Sequence, residues 1–488
     1  MDVGPEQNEA AIGWGRQPWQ ILDKQVAGPM ELAGYADHVS VRSGQAFRLF
    51  VTSSVGAFTV HAYRVGWYGG AGAKLIWTSA SIPGKAQPQP LRTADRMVSA
   101  INWTPSLTVQ TKGWPAGSYL LLLRGANGKA KYVPFVVRSD SARGAVLIVD
   151  AVNTEEAYNA WGGYSLYHGP HRLATRRSLM VTFDRPYDFD GARGVLNEYD
   201  PLVQVAERSG VRLAYATSVD LLADPGLLTG ARAIVFGGHD EYWTLPARAA
   251  VTRARDAGTN LAFMGANSVF WRVRYGADPH GPNRVMFGYK DAALDPHHNS
   301  PDTTVHWRAA PHSYPENSLT GTLYECAPAK GPYTVLDPNF FLFAGTGAGV
   351  GSAYQGLIGD EADRAYPIAG TPANLQVVAH SPTTCGVRHT VADSTYYTTP
   401  SGAGVFGTGT IEWVRALEGP DPQFDVNQPS VDFARKVTLN LFTALAAGPM
   451  GRTHPAVANL AGLHNQASTA TGTGGKVGVE APMPKPES

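Results

Sequence analysis

The sequence predicts a multidomain β plus α/β protein, an antiparallel β-sandwich followed by a larger α/β unit, and three observations predict it. The length, 488 residues, exceeds what one ordinary core organises. Between about residues 30 and 140 the chain is a succession of short β-branched or aromatic runs separated by Gly, Pro, Ser and Asn, with no helical period, the signature of antiparallel strands packed as two sheets. After Arg143 continuous apolar runs, suited to strands covered on both faces, begin to alternate with runs of helical spacing.

The first unit is read from "HVSVRSG", "AFRLFVTSS", "FTVHAYRVGWY", "KLIWTS", "SLTVQTK", "SYLLLLRG" and "KYVPFVVR" as strands. In the second, "GAVLIVDA", "VRLAYATSVD", "ARAIVFGG" and "NLAFMGAN" are strands, while "YDPLVQVAERSG" and "LPARAAVTRARDAG" are helices closed by glycine. Such alternation implies a parallel sheet with helices on both faces. From about 275 to 355 the pattern is lost among Pro, His, Asn and Gly, and this stretch reads as an inserted loop region draped over the sheet as a lid. Strands return in "NLQVVAHS" and "STYYTTPSGAGVFGTGTIEWV", and "SVDFARKVTLNLFTALAAG" is a closing helix. The expected boundaries are an N-terminal extension over 1–29, the sandwich over 30–142, the α/β unit over 143–450 and a disordered polar tail over 451–488.

Composition excludes several function classes. Lys plus Arg equals Asp plus Glu, 40 against 40, with no basic run, so nucleic acid and anionic membrane are poor partners. No apolar run approaches the roughly 20 residues of a spanning helix, and the first residues carry no basic and apolar leader pattern. An exported protein whose leader has been removed would look the same, and an extracellular or periplasmic location is read ahead of a cytoplasmic one. The two cysteines, Cys326 and Cys385, lack zinc-ligand spacing; either they pair, as in an exported protein, or they are unrelated thiols.

Chemistry concentrates in "GGHDEYW", residues 237–243, which follows the strand "ARAIVF" and so sits at the carboxyl edge of the predicted sheet, where open α/β sheets bind ligands. Asp240 and Glu241 cannot act as a glycosidase pair on one bond, because neighbours on an extended chain project to opposite sides. A zinc site through His239 lacks companion histidines at helical spacing, and the histidines at 280, 297, 298, 306 and 312 read as exposed loop residues. No GxSxG occurs and no cysteine is near, which argues against covalent catalysis. His239 and Glu241 remain as candidates for proton transfer. Tyr242, on residue type alone, reads as a packing residue at a strand end.

Several stretches, in the same order over most of residues 30–445, resemble the family of N,N-dimethylformamidase large (beta) subunits: "AGYADHVSVRSGQAFRLFV", "AYRVGWYGGAGAKLI", "AYNAWGGYSLY", "NEYDPLVQVAERSG", "GGHDEYW", "LAFMGANSVFWRVRY", "LIGDEAD" and "YYTTPSGAGVFGTGTIEWVRAL" among them. The resemblance implies a second unit similar to class I glutamine amidotransferases without their cysteine. It also implies a mononuclear iron, Fe(III), held by two tyrosines and one glutamate. On this chain the ligands fall on Tyr242, on Glu361 in "IGDEAD", and on Tyr199 in "NEYDPLV", with Tyr158, Tyr164 or Tyr187 able to take the place of Tyr199. Two phenolates and a carboxylate are hard anionic oxygens that suit Fe(III), and only a strongly charged cation keeps two phenols ionised at neutral pH. The sequence departs from the family at Gly359, where the characterised formamidases carry a histidine for proton transfer; His239 is the substitute here, as base or as a group orienting Tyr242.

The reading is an iron-dependent hydrolase of an amide-type C–N bond acting on a small-molecule amide. Its rivals are a catalytically inactive relative that binds carbohydrate or a surface, and a zinc hydrolase using His239, Asp240 and Glu361. A homo-oligomer is compatible with the sequence, and nothing in it requires the small helical partner subunit of the formamidases.

Overall fold

The computed structural model describes residues 17–463, and within them the protein is β-rich, with mixed sheets and few helices. The first ten strands are β1 (Leu32–Ala36), β2 (Ser40–Arg42), β3 (Ala46–Ser53), β4 (Phe58–Val65), β5 (Ala73–Thr78), β6 (Leu91–Arg92), β7 (Val98–Ser99), β8 (Leu107–Gln110), β9 (Gly117–Gly125) and β10 (Ala130–Arg138). They form a three-stranded sheet ordered β1-β3-β8, a five-stranded sheet ordered β2-β10-β9-β4-β5, and the small pair β6-β7. Alternation along the strands sends Phe47, Leu49 and Val51 of β3 into one apolar cluster with Val60, Leu121, Leu123 and Phe135 of the larger sheet. One pairing departs from the antiparallel expectation: β2 runs parallel to β10. The chain passes from β1 in one sheet to β2 in the other and back to β3, so β2 has no hairpin partner to fix its direction.

The remaining elements are β11 (Val146–Asp150), α1 (Val152–Tyr158), β12 (Met180–Thr182), α2 (Arg193–Glu198), α3 (Asp200–Arg208), β13 (Leu213–Thr217), α4 (Asp220–Ala223), β14 (Ala233–Gly238), β15 (Tyr242–Thr244), α5 (Leu245–Asp256), β16 (Asn260–Gly265), β17 (Trp271–Asp278), β18 (Gly281–Phe287), α6 (Asn317–Thr320), β19 (Leu323–Thr334), β20 (Ala353–Arg364), β21 (Gln376–Cys385), β22 (Arg388–Thr398), β23 (Gly404–Gly407), α7 (Glu412–Ala416) and α8 (Gln428–Ala447). Nine strands make one sheet ordered β13-β11-β14-β16-β23-β22-β21-β19-β20. Its first five strands are parallel and the rest antiparallel, where the sequence predicts parallel pairing. The tight connection Cys385–Arg388 between β21 and β22 accounts for part of the change, since a two-residue turn can join only antiparallel neighbours.

The parallel half is buried on both faces, as its continuous apolar runs demand. Ile148, Val235 and Met264 pack with Val437 and Leu441 of α8 on one side. Leu147, Phe236 and Phe263 pack with Ala250 and Val251 of α5 on the other. The outer face of the five-stranded sheet joins the first of these cores through Tyr63, Leu120, Leu122 and Tyr132, against Val195 of α2 and Leu202 of α3. The turn "RVGWYGGAGAKL" belongs to this contact: Arg64 pairs with Glu207 of α3 at 2.6 Å, and a Cβ at Gly66 would fall 2.0 Å from the same carboxylate.

Two further expectations are corrected. The stretch 275–355 is not an irregular lid, because β17 and β18 form a hairpin within it and complete a four-stranded sheet ordered β12-β18-β17-β15, and β19 enters the main sheet. Pro, His and Gly at the turns masked the short alternating runs "WRVRY" and "NRVMF". Of the expected disordered tail, residues 451–463 are docked: Asn459 exchanges hydrogen bonds with the backbone of Val377 at 2.7 and 2.9 Å, and Leu460 is buried. The rest of the tail, 464–488, and residues 1–16 lie outside the described residues. Among the described residues no helix is long and apolar enough to cross a membrane.

Candidate metal and catalytic centre

The carboxyl ends of β11, β14 and β16 open on a cleft of about 2660 Å³, whose walls include Trp19 and Trp67 from the first part of the chain and Tyr158, Glu241, Tyr324 and Glu361 from the second. It is larger than a pocket fitted to a small ligand, which spans some 300–1,000 Å³. "GGHDEYW" turns at its floor. Gly238 has a positive φ of 58°, and a Cβ there would meet Glu198 at 2.5 Å, so only glycine lets β14 end this close to α2.

The turn is pinned by its backbone. Glu241 N donates to the Thr154 hydroxyl at 3.0 Å, Glu241 O accepts from the amides of Phe270 and Trp271 at 2.9 Å, and Tyr242 O accepts from Asn153 at 2.9 Å. The Glu241 carboxylate is buried and receives Tyr158 Oη at 3.0 Å, Tyr167 Oη at 2.7 and 2.8 Å, and Asn267 Nδ2 at 3.2 Å. His239 Nε2 stands 3.5 Å from Glu241 Oε2 and 3.4 Å from Glu361 Oε2, between the two carboxylates. Burial alone would pull this imidazole down, but Glu361 and Glu241 hold its pKa up to about 10, so it is an imidazolium at neutral pH. Lys290 adds positive charge over the rings of Tyr167, Trp271 and Tyr242, its Nζ lying 3.3, 4.6 and 5.3 Å from their centroids.

Tyr242 opens β15, which lies parallel to β17, and its fully buried ring meets Tyr167 edge-on at 6.4 Å. Its hydroxyl is pushed well above the ordinary phenol value by burial first and then by Glu241, with Glu361 adding to the effect. Apart from the contacts of His239 Nε2 with the two carboxylates, neither it nor Glu361 Oε2 has a further partner, and Tyr242 Oη is buried beside Tyr167 without a well-formed hydrogen bond. Under-satisfied polar atoms are costly in a protein interior, and His239 and Glu361 both line the cleft, which marks it as a candidate ligand site.

Of the residues singled out in the sequence, the structure brings together His239, Glu241, Tyr242 and Glu361. Tyr199 lines the same cleft, but no hydrogen bond links it to them. Its hydroxyl is raised by burial and then by Asp150, Tyr215, Asp200 and Glu155, a separate acidic group beyond the end of β11. The tyrosine in the centre is Tyr158, one of the three substitutes named from the sequence, which α1 delivers from the other side of the turn. Tyr164 instead accepts from Arg92 at 2.9 Å, and Tyr187 responds to burial and then Glu156. Tyr167, Asn267 and Lys290 escaped the sequence reading, although Tyr158 and Tyr167 both stand in "AYNAWGGYSLY". Asp240 faces away from the centre: its backbone oxygen accepts the Trp243 indole at 3.0 Å, and burial raises its carboxyl to about 7.

At Gly359 a Cβ would come within 3.0–3.3 Å of the Glu412 side chain, so Glu412 fills the room a larger residue would need. Elsewhere, Asp184, Asp278 and His280 place one ligand atom each within 4.8 Å of one another, an arrangement that fits a metal ion. Cys326 and Cys385 form a disulfide, with Cα atoms 6.0 Å apart.

Comparison with known proteins adds the following. The model of the family described as N,N-dimethylformamidase beta subunit-like, C-terminal, matches residues 59–427. No curated protein matches the chain. Among solved structures, a cycloisomaltooligosaccharide glucanotransferase of Paenibacillus sp., complexed with cycloisomaltoheptaose, aligns with 42% of this chain and 19% of its own length at 12% identity and a TM-score of 0.15, a likeness that carries no argument.

Proposed function

This chain belongs to the N,N-dimethylformamidase beta subunit-like family, and from that premise we propose that it is a metal-dependent hydrolase of an amide-type C–N bond in a small-molecule substrate. The observation that carries the reading is His239 Nε2 set between the carboxylates of Glu241 and Glu361, at 3.5 and 3.4 Å, on the cleft wall, with the Tyr242 ring packed edge-on against the Tyr167 that holds Glu241. A phenol and a carboxylate are the donors a hard, highly charged cation takes, and Fe(III) fits them better than zinc. Tyr242 and Glu361 would hold the ion, with Tyr158 as the second phenol in place of Tyr199. When bound, the ion supplies Lewis acidity, polarising a carbonyl and making water more acidic.

The chain's own residues supply the rest. Glu241, oriented by Tyr167 and Asn267, accepts a proton from the attacking water at Oε1 or Oε2. Water oxygen bonds to the carbonyl carbon, the C–N bond breaks, and His239, charged before reaction begins, gives its Nε2 proton to the departing amine nitrogen. The products are a carboxylic acid and an amine, with all atoms accounted for. This exchanges the role read for His239 from the sequence: its two carboxylate neighbours make it an acid where a base was expected. Glu412, packed against Gly359, leaves no room there for the family's histidine.

The finer architecture belongs to the same reading: a β-sandwich over 30–142, and over 143–450 an α/β unit of the class I glutamine-amidotransferase type. The disulfide supports an oxidising, extracellular or periplasmic location.

The test is metal analysis and visible absorption of protein purified without chelators, wild type against Tyr242→Phe. The expected result is about one iron per chain with an intense phenolate-to-iron band, both lost in the variant while the far-ultraviolet circular dichroism is kept. A Tyr242→Phe protein with undiminished iron, or a wild type free of metal and inert towards simple N-alkyl amides, overturns the reading.

A further inference from the structure

The group Asp184, Asp278 and His280 lies outside the cleft and shares no residue with the centre described above. Asp184 follows β12, while Asp278 ends β17 and His280 stands in the turn to β18. The turn brings its two ligands together by itself, since the His280 amide donates to Asp278 Oδ1 at 2.8 Å. The Asp184 side chain is fully buried, and its two oxygens have different surroundings. Oδ1 takes both Nε and Nη2 of Arg284, whereas Oδ2 has no hydrogen-bond partner. His280 Nδ1 is 3.1 Å from Asp184 Oδ1, and it too is buried without making a hydrogen bond. An unsatisfied carboxylate oxygen in a fully buried side chain is costly, and so is a buried imidazole nitrogen facing it unbonded. Arg284 compensates one negative charge and leaves the second carboxylate uncompensated.

We propose that Asp184, Asp278 and His280 bind a divalent first-row transition cation, zinc foremost, which ties the β17–β18 hairpin to the first part of the chain. Two carboxylate oxygens and one imidazole nitrogen make a three-ligand zinc set with one position left to water. Two anionic ligands with one neutral ligand match a borderline cation better than Ca²⁺ or Mg²⁺, which prefer all-oxygen shells of higher coordination. Arg284, fixed on Oδ1, orients Asp184 as outer hydrogen bonds orient metal ligands elsewhere. Asp278 and His280 are partly exposed, which gives the cation a route in.

The placement states what the ion does. The His280 ring packs on Phe50 of β3 with centroids 4.8 Å apart, Arg284 Nη2 donates to Ala36 O at 3.0 Å, and Asp184 O accepts the Ala100 amide at 2.7 Å. The Asp184 segment and the hairpin that carries Asp278 and His280 therefore both touch β1, β3 or the loop after β7. The same hairpin carries Trp271, the pairing partner of Tyr242, at its other end. A cation here is a clamp between the sheets of the first part and the strand that flanks the cleft, and it takes no part in the chemistry.

The test uses the full chain in a Glu361→Gln background, which weakens metal uptake at the cleft, stripped with chelator and then titrated with Zn²⁺ by calorimetry and with Co²⁺ by visible spectroscopy. One zinc per chain, a four- or five-coordinate Co²⁺ spectrum and a rise in melting temperature on adding zinc are expected. His280→Ala and Asp278→Asn in the same background weaken that binding by roughly 100-fold or more and abolish the thermal shift. Asp278 is partly exposed, so its variant folds even if loss of the His280 ring from Phe50 proves disruptive. Undiminished zinc affinity in Asp278→Asn, or absence of saturable zinc binding in the background protein, overturns the proposal, and neither result bears on the Tyr242 centre.

Discussion

Two groups of buried acids lie next to each other beyond the parallel strands, one after β14 and one after β11, and they have met the cost of burial in opposite ways. In the first, Glu241 and Glu361 share His239 between them, and Glu241 also takes two tyrosine hydroxyls and Asn267, so its oxygens are aimed although burial raises its pKa. In the second, Asp150 and Glu155 hydrogen-bond to each other, and burial raises both, Asp150 to about 7 and Glu155 well above the ordinary carboxylate range. Tyr199, with an unpartnered hydroxyl, belongs to this group. The difference separates a group whose carboxylates share an imidazole from one whose acids are held by each other, although the residue types are nearly the same.

The comparison can be broken most sharply at Glu241. Glu241→Gln keeps the size of the side chain and removes the charge that Tyr158, Tyr167 and Asn267 surround, and a fall in kcat of about 10²–10⁴-fold is expected. Asp150→Asn and Tyr199→Phe, made beside it, should leave kcat and metal content near those of the wild type; a Tyr199→Phe protein without metal would move the ligand set into the second group. An intermediate effect is expected from Tyr167→Phe, which frees Glu241 to turn without removing it: a loss of about 10–100-fold, read as kcat against KM, with metal retained. The smallest effect is on stability. Because the Asp150 carboxyl is raised, the native protein holds a proton that the unfolded chain releases as pH climbs past the ordinary aspartate range near 4, so stability falls with rising pH. Asp150→Asn lacks that slope. In urea titrations it should gain on the wild type by on the order of 1 kcal/mol between pH 5 and 8, and parallel curves would show the group to be ionised after all.

Strands and helices of both halves were legible because their apolar periods are clean, as in "ARAIVF" and "LPARAAVTRARDAG". The reversal of direction after β23 was not, since period two is common to parallel and antiparallel strands and only partner choice separates them. The hairpin β17–β18 was hidden by the prolines and histidines of its flanks. In the centre, "GGHDEYW" pointed to His239 and Glu241 because it sits at a strand end, whereas Tyr242 and Glu361, the latter inside β20, were reached through the family resemblance. The second tyrosine stayed open between Tyr199, Tyr158, Tyr164 and Tyr187 for a geometric reason. Tyr199 and Tyr158 both lie on helices bordering the cleft, and no feature of the local sequence says that α1 points its last residue at Glu241 while the N-terminus of α3 turns Tyr199 towards Asp150. His280 shows the same limit, a histidine in loop-like sequence that the fold sets against two carboxylates.

The disulfide reaches further than its position suggests. Cys326 lies opposite Ala362 in the β19–β20 ladder, one residue from Glu361, and its partner Cys385 ends β21 on the other side of β19. Closing a loop of 59 residues restricts the unfolded chain by about 4 kcal/mol in the chain-entropy account. The bond also tethers the strand beside Glu361 to the body of the sheet, and Tyr324, two residues before Cys326, forms part of the cleft wall. The register of the strand that carries Glu361 is thus secured from its rear by an oxidation that has nothing to do with the reaction. Material made in a reducing cytoplasm would present the same side chains on a looser mount.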